Sequence, residues 1–225
     1  MALAGPFAPD PAIAEAAATW SPADRLRTVT VRPIRPDDAE RLGRLLRRLS
    51  RDTVHKRFFT AVVDPPVSAL RRLAEVDHAR REAFVAIVRD EVVGVARYEG
   101  RRDDPTVAEA AVVVEDAWQR RGIGRRLLRH LGEAAAAQGV TRFTASALAT
   151  NVAPVHLARS LAPLVEVRLD GGEVALVIPL PDDRRDRPAA AADPATSVAG
   201  VPSGGSSDVG GTPAAVLPVG RAVAG

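Results

Sequence analysis

The 225-residue chain is expected to fold as a mixed α/β (α+β) domain, with a mostly antiparallel central sheet and helices on both faces. Three observations predict this. Between residues 28 and 181 the apolar period switches repeatedly between two and about 3.6. Short polar links join neighbouring strands towards both ends of that stretch, as hairpins require. Helical segments separate the remaining strands, as crossovers require.

Thr28–Ile34 alternates as a strand, with Val29 and Val31 on one face. Pro36, Asp37 and Asp38 open a helix, because Pro suits the first turn and acids suit its positive end. Its apolar stripe is Leu42, Leu45, Leu46 and Leu49. Short helices follow at Arg51–Phe59 and Ser68–Val76. Ala83–Arg89 and Val92–Glu99 form a hairpin linked at Asp90-Glu91. A polar loop at 101–105 leads to a strand at Thr106–Val114. Gly122–Gln138 is a helix with Ile123, Leu127, Leu128 and Leu131 on its core face, and Gly139 sits where a left-handed C-terminal cap belongs. Thr141–Ala147 is a strand and Val152–Leu161 a short helix. Leu164–Leu169 and Glu173–Leu180 form a hairpin around Asp170-Gly171-Gly172.

The flanks differ in composition. Residues 1–27 are an Ala- and Pro-rich N-terminal extension with room for a short helix near Pro11–Ala18. Residues 182–225 are rich in Pro, Ala, Gly and Ser, cannot bury enough apolar surface to offset chain entropy, and are expected to be a disordered tail. The folded domain is expected to span 28–181.

Composition narrows the function. With 46% hydrophobic residues a core is feasible, and with no cysteine there is no disulfide framework, cysteine metal site or cysteine nucleophile. No stretch approaches the ~20 apolar residues of a membrane span. The first residues lack the basic region of a signal peptide. A cytoplasmic protein is expected. The sequence pI near 10.3 exaggerates a formal charge of only +3. Lys56 is the only lysine and Tyr98 the only tyrosine, so little titrates between neutrality and the arginine range. Acids are interspersed among the arginines, where a nucleic-acid partner would call for a concentrated basic stripe. His55, His78 and His130 share no metal-ligand spacing, so no metal is expected.

The chemistry is concentrated in Ala108–Gly139, AEAAVVVEDAWQRRGIGRRLLRHLGEAAAAQG. A helix start exposes backbone N–H groups and carries partial positive charge. Gly122 and Gly124 remove side chains that would keep an anion from those groups. Arg120, Arg121, Arg125 and Arg126 surround the entry with positive charge. Together they suit a pyrophosphate. The spacing is neither the phosphate loop with Lys-Ser/Thr nor the three-glycine dinucleotide fingerprint. A Gly-x-Gly before a helix suits a plain turn as well as a phosphate site, and the apolar strand before it raises the second reading.

Gln119-Arg120-Arg121-Gly122-Ile123-Gly124 resembles the Gln/Arg-x-x-Gly-x-Gly/Ala signature of the GNAT superfamily of N-acetyltransferases. The resemblance covers roughly residues 28–181. It is closest to the catalytic domain of bacterial protein lysine acetyltransferases, through VTVRPIRPDDAERLGRLLRRLSRDTVHKRFF and AEAAVVVEDAWQRRGIG.

The resemblance implies a splayed central strand and an acetyl-CoA site. Gln119, Arg120, Arg121, Gly122, Ile123, Gly124 and Arg125 would hold the pyrophosphate, mainly by backbone N–H groups. The backbone of Val112, Val113 and Val114 would pair with the pantetheine arm. Asn151 would contact the CoA arm, or serve as an N-cap, or both. Glu109 would be the general base, its pKa raised in the acceptor cleft; otherwise it is a solvated strand acid. Glu115 and Asp116 are read as solvated loop acids, and Trp118 and Tyr98 as packing residues.

Two departures stand out. Ala158 occupies the place where many family members carry a Tyr acid; the lysine-acetylating branch also lacks that Tyr. Ala162-Pro163 replaces the usual Gly-Phe. The expected reaction is direct transfer of acetyl from acetyl-CoA to an amine in a ternary complex, with a protein lysine as first acceptor and a small-molecule amine as second. A non-catalytic acyl-CoA-binding module is the alternative, and a nucleic-acid-associated protein ranks below both. A monomer or homodimer is expected, with no membrane partner.

Overall fold

The structure is a computed structural model, and it describes residues 29–58 and 64–181. The expected helix near residues 11–18 and the expected disordered tail lie outside the described residues. The chain runs β1 (Thr30–Pro33), α1 (Ala39–Arg48), α2 (Arg51–Phe58), α3 (Val67–Ala74), β2 (Arg81–Val88), β3 (Glu91–Gly100), β4 (Val107–Val114), α4 (Ile123–Ala137), β5 (Arg142–Leu148), α5 (Ala153–Leu161), β6 (Glu166–Asp170) and β7 (Glu173–Pro179). Every element expected within this range is present. Two 3₁₀ turns, Pro36–Asp38 and Asp116–Trp118, were not foreseen.

The seven strands form one sheet in the order β1-β2-β3-β4-β5-β7-β6. Only the β4–β5 pair is parallel. A parallel neighbour needs a crossover, and α4 supplies it. Both hairpins turn through residues with positive φ, which matches strand twist. These are Gly171 and Gly172 at one end, and Arg89 and Asp90 at the other. The second turn lies one residue earlier than the expected Asp90-Glu91, and Arg41 on α1 anchors it, donating to Asp90 at 2.7 Å.

Two hydrophobic layers cover the sheet. On one face Leu42, Leu45, Leu46 and Leu49 pack with Leu70 against Ala83, Val85, Val92 and Val113. On the other, Ile123, Leu127, Leu128 and Leu131 of α4 pack against Val93, Ala96, Val112 and Val114. Each such leucine contributes about 2 kcal/mol of transfer free energy, largely offset by chain entropy. Because side chains alternate along a strand, β4 sends Ala110, Val112 and Val114 to the α4 face and Glu109, Ala111 and Val113 to the α1–α3 face.

Local details fix where the site sits. The β2–β3 register shifts at Ala86/Ile87, leaving Val93 as an extra residue. The Val93 carbonyl accepts from the Glu115 N–H at 2.9 Å, so β3 holds the chain one residue past the end of β4. At the far end of α4, Gly139 adopts φ +87. The Gly139 and Val140 N–H groups bond back to Ala136 and Ala135, which completes the expected left-handed cap. Among the described residues, no helix is long and apolar enough to cross a membrane.

Candidate active site

β4 and β5 pair at three registers only: Val107 with Arg142, Ala108 with Phe143, and Glu109 with Thr144. Beyond them β4 continues to Val114 along β3, and β5 continues to Leu148 along β7. The two strands therefore diverge after Glu109 and Thr144. The edge of β4 from Ala110 to Val114 faces β5 across a fork without ladder partners. Backbone N–H and C=O groups are obligatory hydrogen-bonding groups, so such an edge suits an extended chain carrying amides. The side chains of Val112, Val113 and Val114 are buried, so these residues offer backbone alone. At the open end of the edge, the Val114 carbonyl is already taken by Gln119 Nε2 at 3.0 Å.

The fork opens towards the start of α4. Gly122 is the N-cap, in the left-handed region at φ +77, and no side chain caps the helix. The N–H groups of Ile123, Gly124 and Arg125 fall in the first turn, where a helix has no acceptor for them. The Arg126 N–H is bonded back to the Gly122 carbonyl at 3.0 Å. A Cβ built on Gly122 would meet nothing within 4 Å, so the space outside the turn is open. Gly124 differs: its Cβ would lie 3.4 Å from Leu157 of α5 and 3.9 Å from Val114, on the protein side of the turn. Arg120, at φ +58, and Arg125 are exposed. The Arg121 guanidinium lies 5.3 Å over the Trp118 ring, and Arg126 donates to the Val29 carbonyl at 2.7 Å. An open, positively polarised turn flanked by exposed guanidiniums fits a diphosphate.

The loop between β4 and α4 is built more tightly than expected. Gln119 Nε2 also donates to Thr53 Oγ1 at 3.3 Å. Gln119 thus positions the turn, its side-chain nitrogen being committed inside the protein. The Asp116 carboxylate accepts from the Ser50 N–H, Ser50 Oγ and Thr53 Oγ1 at 2.7–2.9 Å. Ser50 in turn accepts the Thr53 N–H at the start of α2. One network therefore ties α2 to the turn.

Glu115 corrects the reading of a solvated loop acid. It is 1% exposed and accepts from Arg48 Nε at 3.1 Å, while its Oε1 has no hydrogen-bond partner. Burial raises its pKa, with Arg48 opposing. Arg48 also donates to Glu91 and to the Val92 carbonyl. Trp118 and Tyr98 are packing residues as expected, both fully buried.

Glu109 stands at the apex of the fork, half-buried on the α1–α3 face. Across the ladders it faces Glu99 of β3 and Thr144 of β5. Burial raises its pKa; Arg57 and Arg101 oppose that rise, and Glu99 adds to it. Arg57 belongs to α2 and is buried. Its pKa falls to about 10, through burial first and Arg97 second, with Glu109 acting the other way. Arg97 of β3 is also buried and falls to about 10, mainly through burial. Both therefore stay cationic at neutral pH. Arg57 and Arg97 escaped the sequence reading. A signal existed for Arg57, which continues the buried stripe of Thr53 and Val54 on α2.

Asn151 is buried across the fork, after β5, with its N–H bonded to the Leu148 carbonyl at 2.8 Å. The N-cap of α5 is Val152, with no side-chain cap, so the N-cap reading of Asn151 was one residue early. Ala158 faces the core, and His156 is exposed on α5. Among the described residues no group of three His, Asp or Glu is placed to hold a metal.

The sequence profile of the Acetyltransferase (GNAT) family matches residues 49–162, about half of the chain and all of the fork, turn and α4. The chain belongs to the GNAT acetyltransferase family. Two relatives agree with the GNAT assignment. An acetyltransferase of Pseudomonas aeruginosa is 33% identical over 117 residues, covering 50% of this chain and 62% of its own. The acetyltransferase Pat of Mycolicibacterium smegmatis is 34% identical over 155 residues, covering 67% of this chain and 45% of its own. The chain thus spans less than two thirds of the length of either relative. The crystal structure of the GNAT domain of S. lividans PAT superposes with a TM-score of 0.62 at 27% identity, covering 68% of this chain and 90% of that one.

Proposed function

We propose that this GNAT domain transfers an acetyl group from acetyl-CoA to a primary amine, with a protein lysine as the acceptor and Glu109 as the general base. Residues 28–181 form the catalytic domain in this reading, and 1–27 and 182–225 lie outside it. The observation that carries the proposal is the unladdered β4 edge from Ala110 to Val114, with Glu109 at its closed end and the bare turn at Gly122 beyond its open end. A diphosphate at the turn and an amide-bearing arm along Ala110–Val114 would bring a thioester to the apex of the fork.

The residues then divide the work. First-turn N–H groups of α4 hold the diphosphate, with Arg120 and Arg125 adding charge. A β4 N–H near Val112 or Val113 steadies the carbonyl oxygen as it gains charge. Glu109 takes a proton from the acceptor ammonium, directly or through a water. The amine lone pair forms the new N–C bond, the C–S bond breaks with its electron pair leaving on the CoA sulfur, and the second nitrogen proton passes to that thiolate, giving the CoA thiol. A thiol of pKa ~8.5 leaves without a dedicated acid, which suits Ala158 in the core. A protein acceptor follows from the resemblance of the stretch 108–124 to the catalytic domain of bacterial protein lysine acetyltransferases. Arg51–Phe58, whose Arg57 acts electrostatically on Glu109, and the β6–β7 hairpin, whose β7 pairs with β5 at Thr144, are the elements that would meet it.

The decisive experiment is an acceptor screen on the full chain with acetyl-CoA, reading CoA release with lysine peptides and small amines. Release with lysine peptides, abolished in Glu109→Gln, supports the proposal. Tight CoA binding with no transfer to any amine replaces it with the binding-module reading.

A further inference from the structure

The sheet ends in two unlike edges. β1 closes one side, is 4 residues long and stops on Pro33. β6 closes the other, and each of its residues is exposed. It carries no proline and no lysine, and its ladder with β7 runs without a bulge. Proteins blunt free sheet edges with such devices, because an open row of backbone groups invites another strand. Leu169 is 73% exposed and Val167 39%. Across the ladder they face Val174 and Leu176, which belong to the core layer beneath α4. Val165, just before the strand, packs against that same layer. An apolar row therefore runs off the core and out along the edge.

The backbone sets which residues can take a partner. Gly171 and Gly172, both at positive φ, form a two-residue turn that closes on Asp170 and Glu173. Such a turn makes its closing pair a hydrogen-bonded one. Alternation then points the N–H and C=O groups of Glu166, Arg168 and Asp170 at β7, and those of Val167 and Leu169 outward. A second β6, antiparallel across a two-fold axis, must match outward groups to outward groups. Centred on Arg168, such a pairing sets arginine against arginine and Glu166 against Asp170. Centred on Glu166, it sets glutamate against glutamate. Centred on Val167, it sets Val167 against Val167, Val165 against Leu169, and Glu166 against Arg168 in both directions. The last register alone places opposite charges together on one face and an unbroken apolar row on the other. Within one copy Arg168 reaches Glu166 at 3.4 Å, and both side chains are largely exposed, so each can bond a second partner.

We propose that β6 is a homodimer interface, pairing antiparallel with β6 of a second copy in the register centred on Val167. Val165, Val167 and Leu169 would exchange about six backbone hydrogen bonds with the same residues of that copy. The contact is isologous, so it closes at two subunits. Its place in the sheet matters for the site. Glu109, Thr144, Val177 and Glu166 stand in one row across β4, β5, β7 and β6, on the α1–α3 face. Arg168 of the second copy continues that row, so dimerisation extends the surface on which Glu109 lies. A single pair of short strands is a small interface, which sets a Kd on the order of 1–100 µM. The inference does not depend on acetyl transfer.

Sedimentation equilibrium of the full chain across the micromolar range tests this. The wild-type protein should pass from monomer to dimer as concentration rises. Glu166→Arg and Arg168→Glu, each alone, bring like charges together twice and should weaken the dimer about tenfold or more. The double exchange rebuilds the opposite pairs and should restore wild-type association. Both side chains are exposed, so these variants should fold. Leu169→Lys, at the outer end of the apolar row, should also dissociate the dimer. A wild-type protein that stays monomeric throughout overturns the inference. So does a dimer indifferent to every one of these exchanges, which must use another surface. Hydrogen exchange separates the remaining case: slow exchange of the Val167 and Leu169 amides in a monomer means that the chain's own flanking residues cover the edge, and this too overturns the inference.

Discussion

Replacing Gly122 by alanine tests the turn with little else disturbed. Gly122 sits at φ +77, and an added Cβ would meet nothing within 4 Å. No clash and no new packing enter the balance, so the cost is conformational. An L-residue in the left-handed region costs about 1–2 kcal/mol. In a domain of this size that lowers Tm by about 3–6 °C. To escape the strain, the turn must rotate its N–H groups away from the open space. Losing one charge-assisted amide contact costs about 1.5–3 kcal/mol, which weakens CoA binding roughly ten- to hundredfold. Gly124→Ala is the control. Gly124 lies inside α4, its new methyl would touch Leu157 at an ordinary 3.4 Å, and alanine favours helix by about 1 kcal/mol. Stability should hold or rise, and CoA affinity should change little. Thermal denaturation and calorimetry with CoA on the full-length variants measure both. A Gly122→Ala protein that loses stability but binds CoA like the wild type would refute the turn as the diphosphate site. One that keeps its Tm would refute the strain argument.

Glu109 has a raised pKa, so kcat/KM should fall with pH through a value above the usual ~4.3 of a glutamate, and Glu109→Gln should lower kcat by about 10²–10⁴ and abolish that limb. Arg57 favours the ionised form of Glu109, so Arg57→Met should move the limb to higher pH in a pH–rate profile. Arg48→Met strands Glu115, which is 1% exposed, and should cost about 3 kcal/mol in urea denaturation at neutral pH. The folded pKa of Glu115 is raised, so the penalty belongs to the ionised form and should shrink as pH falls through that pKa. Gln119→Ala removes the bonds to Val114 and Thr53, so stability should fall by about 1 kcal/mol and CoA affinity should drop through loss of positioning.

The sequence alone determined the succession of strands and helices, because burying one face of each element imposes a period of two or 3.6. It also determined the turn: glycine at 122, with a strand before and a helix after, specifies bare first-turn amides by local geometry. Tertiary structure decided what depends on residues far apart in the chain. Glu115 reads as a loop acid until Arg48, on α1, folds over it. Gln119 reads as a ligand contact until Thr53 and the Val114 carbonyl accept from its amide. Arg57 reads as one surface cation among many until α2 turns it inward beside Glu109. The fork itself is a relation between β4 and β5, whose pairing stops at Glu109 and Thr144. Periodicity records which side of a strand is buried; it carries no record of where two strands part.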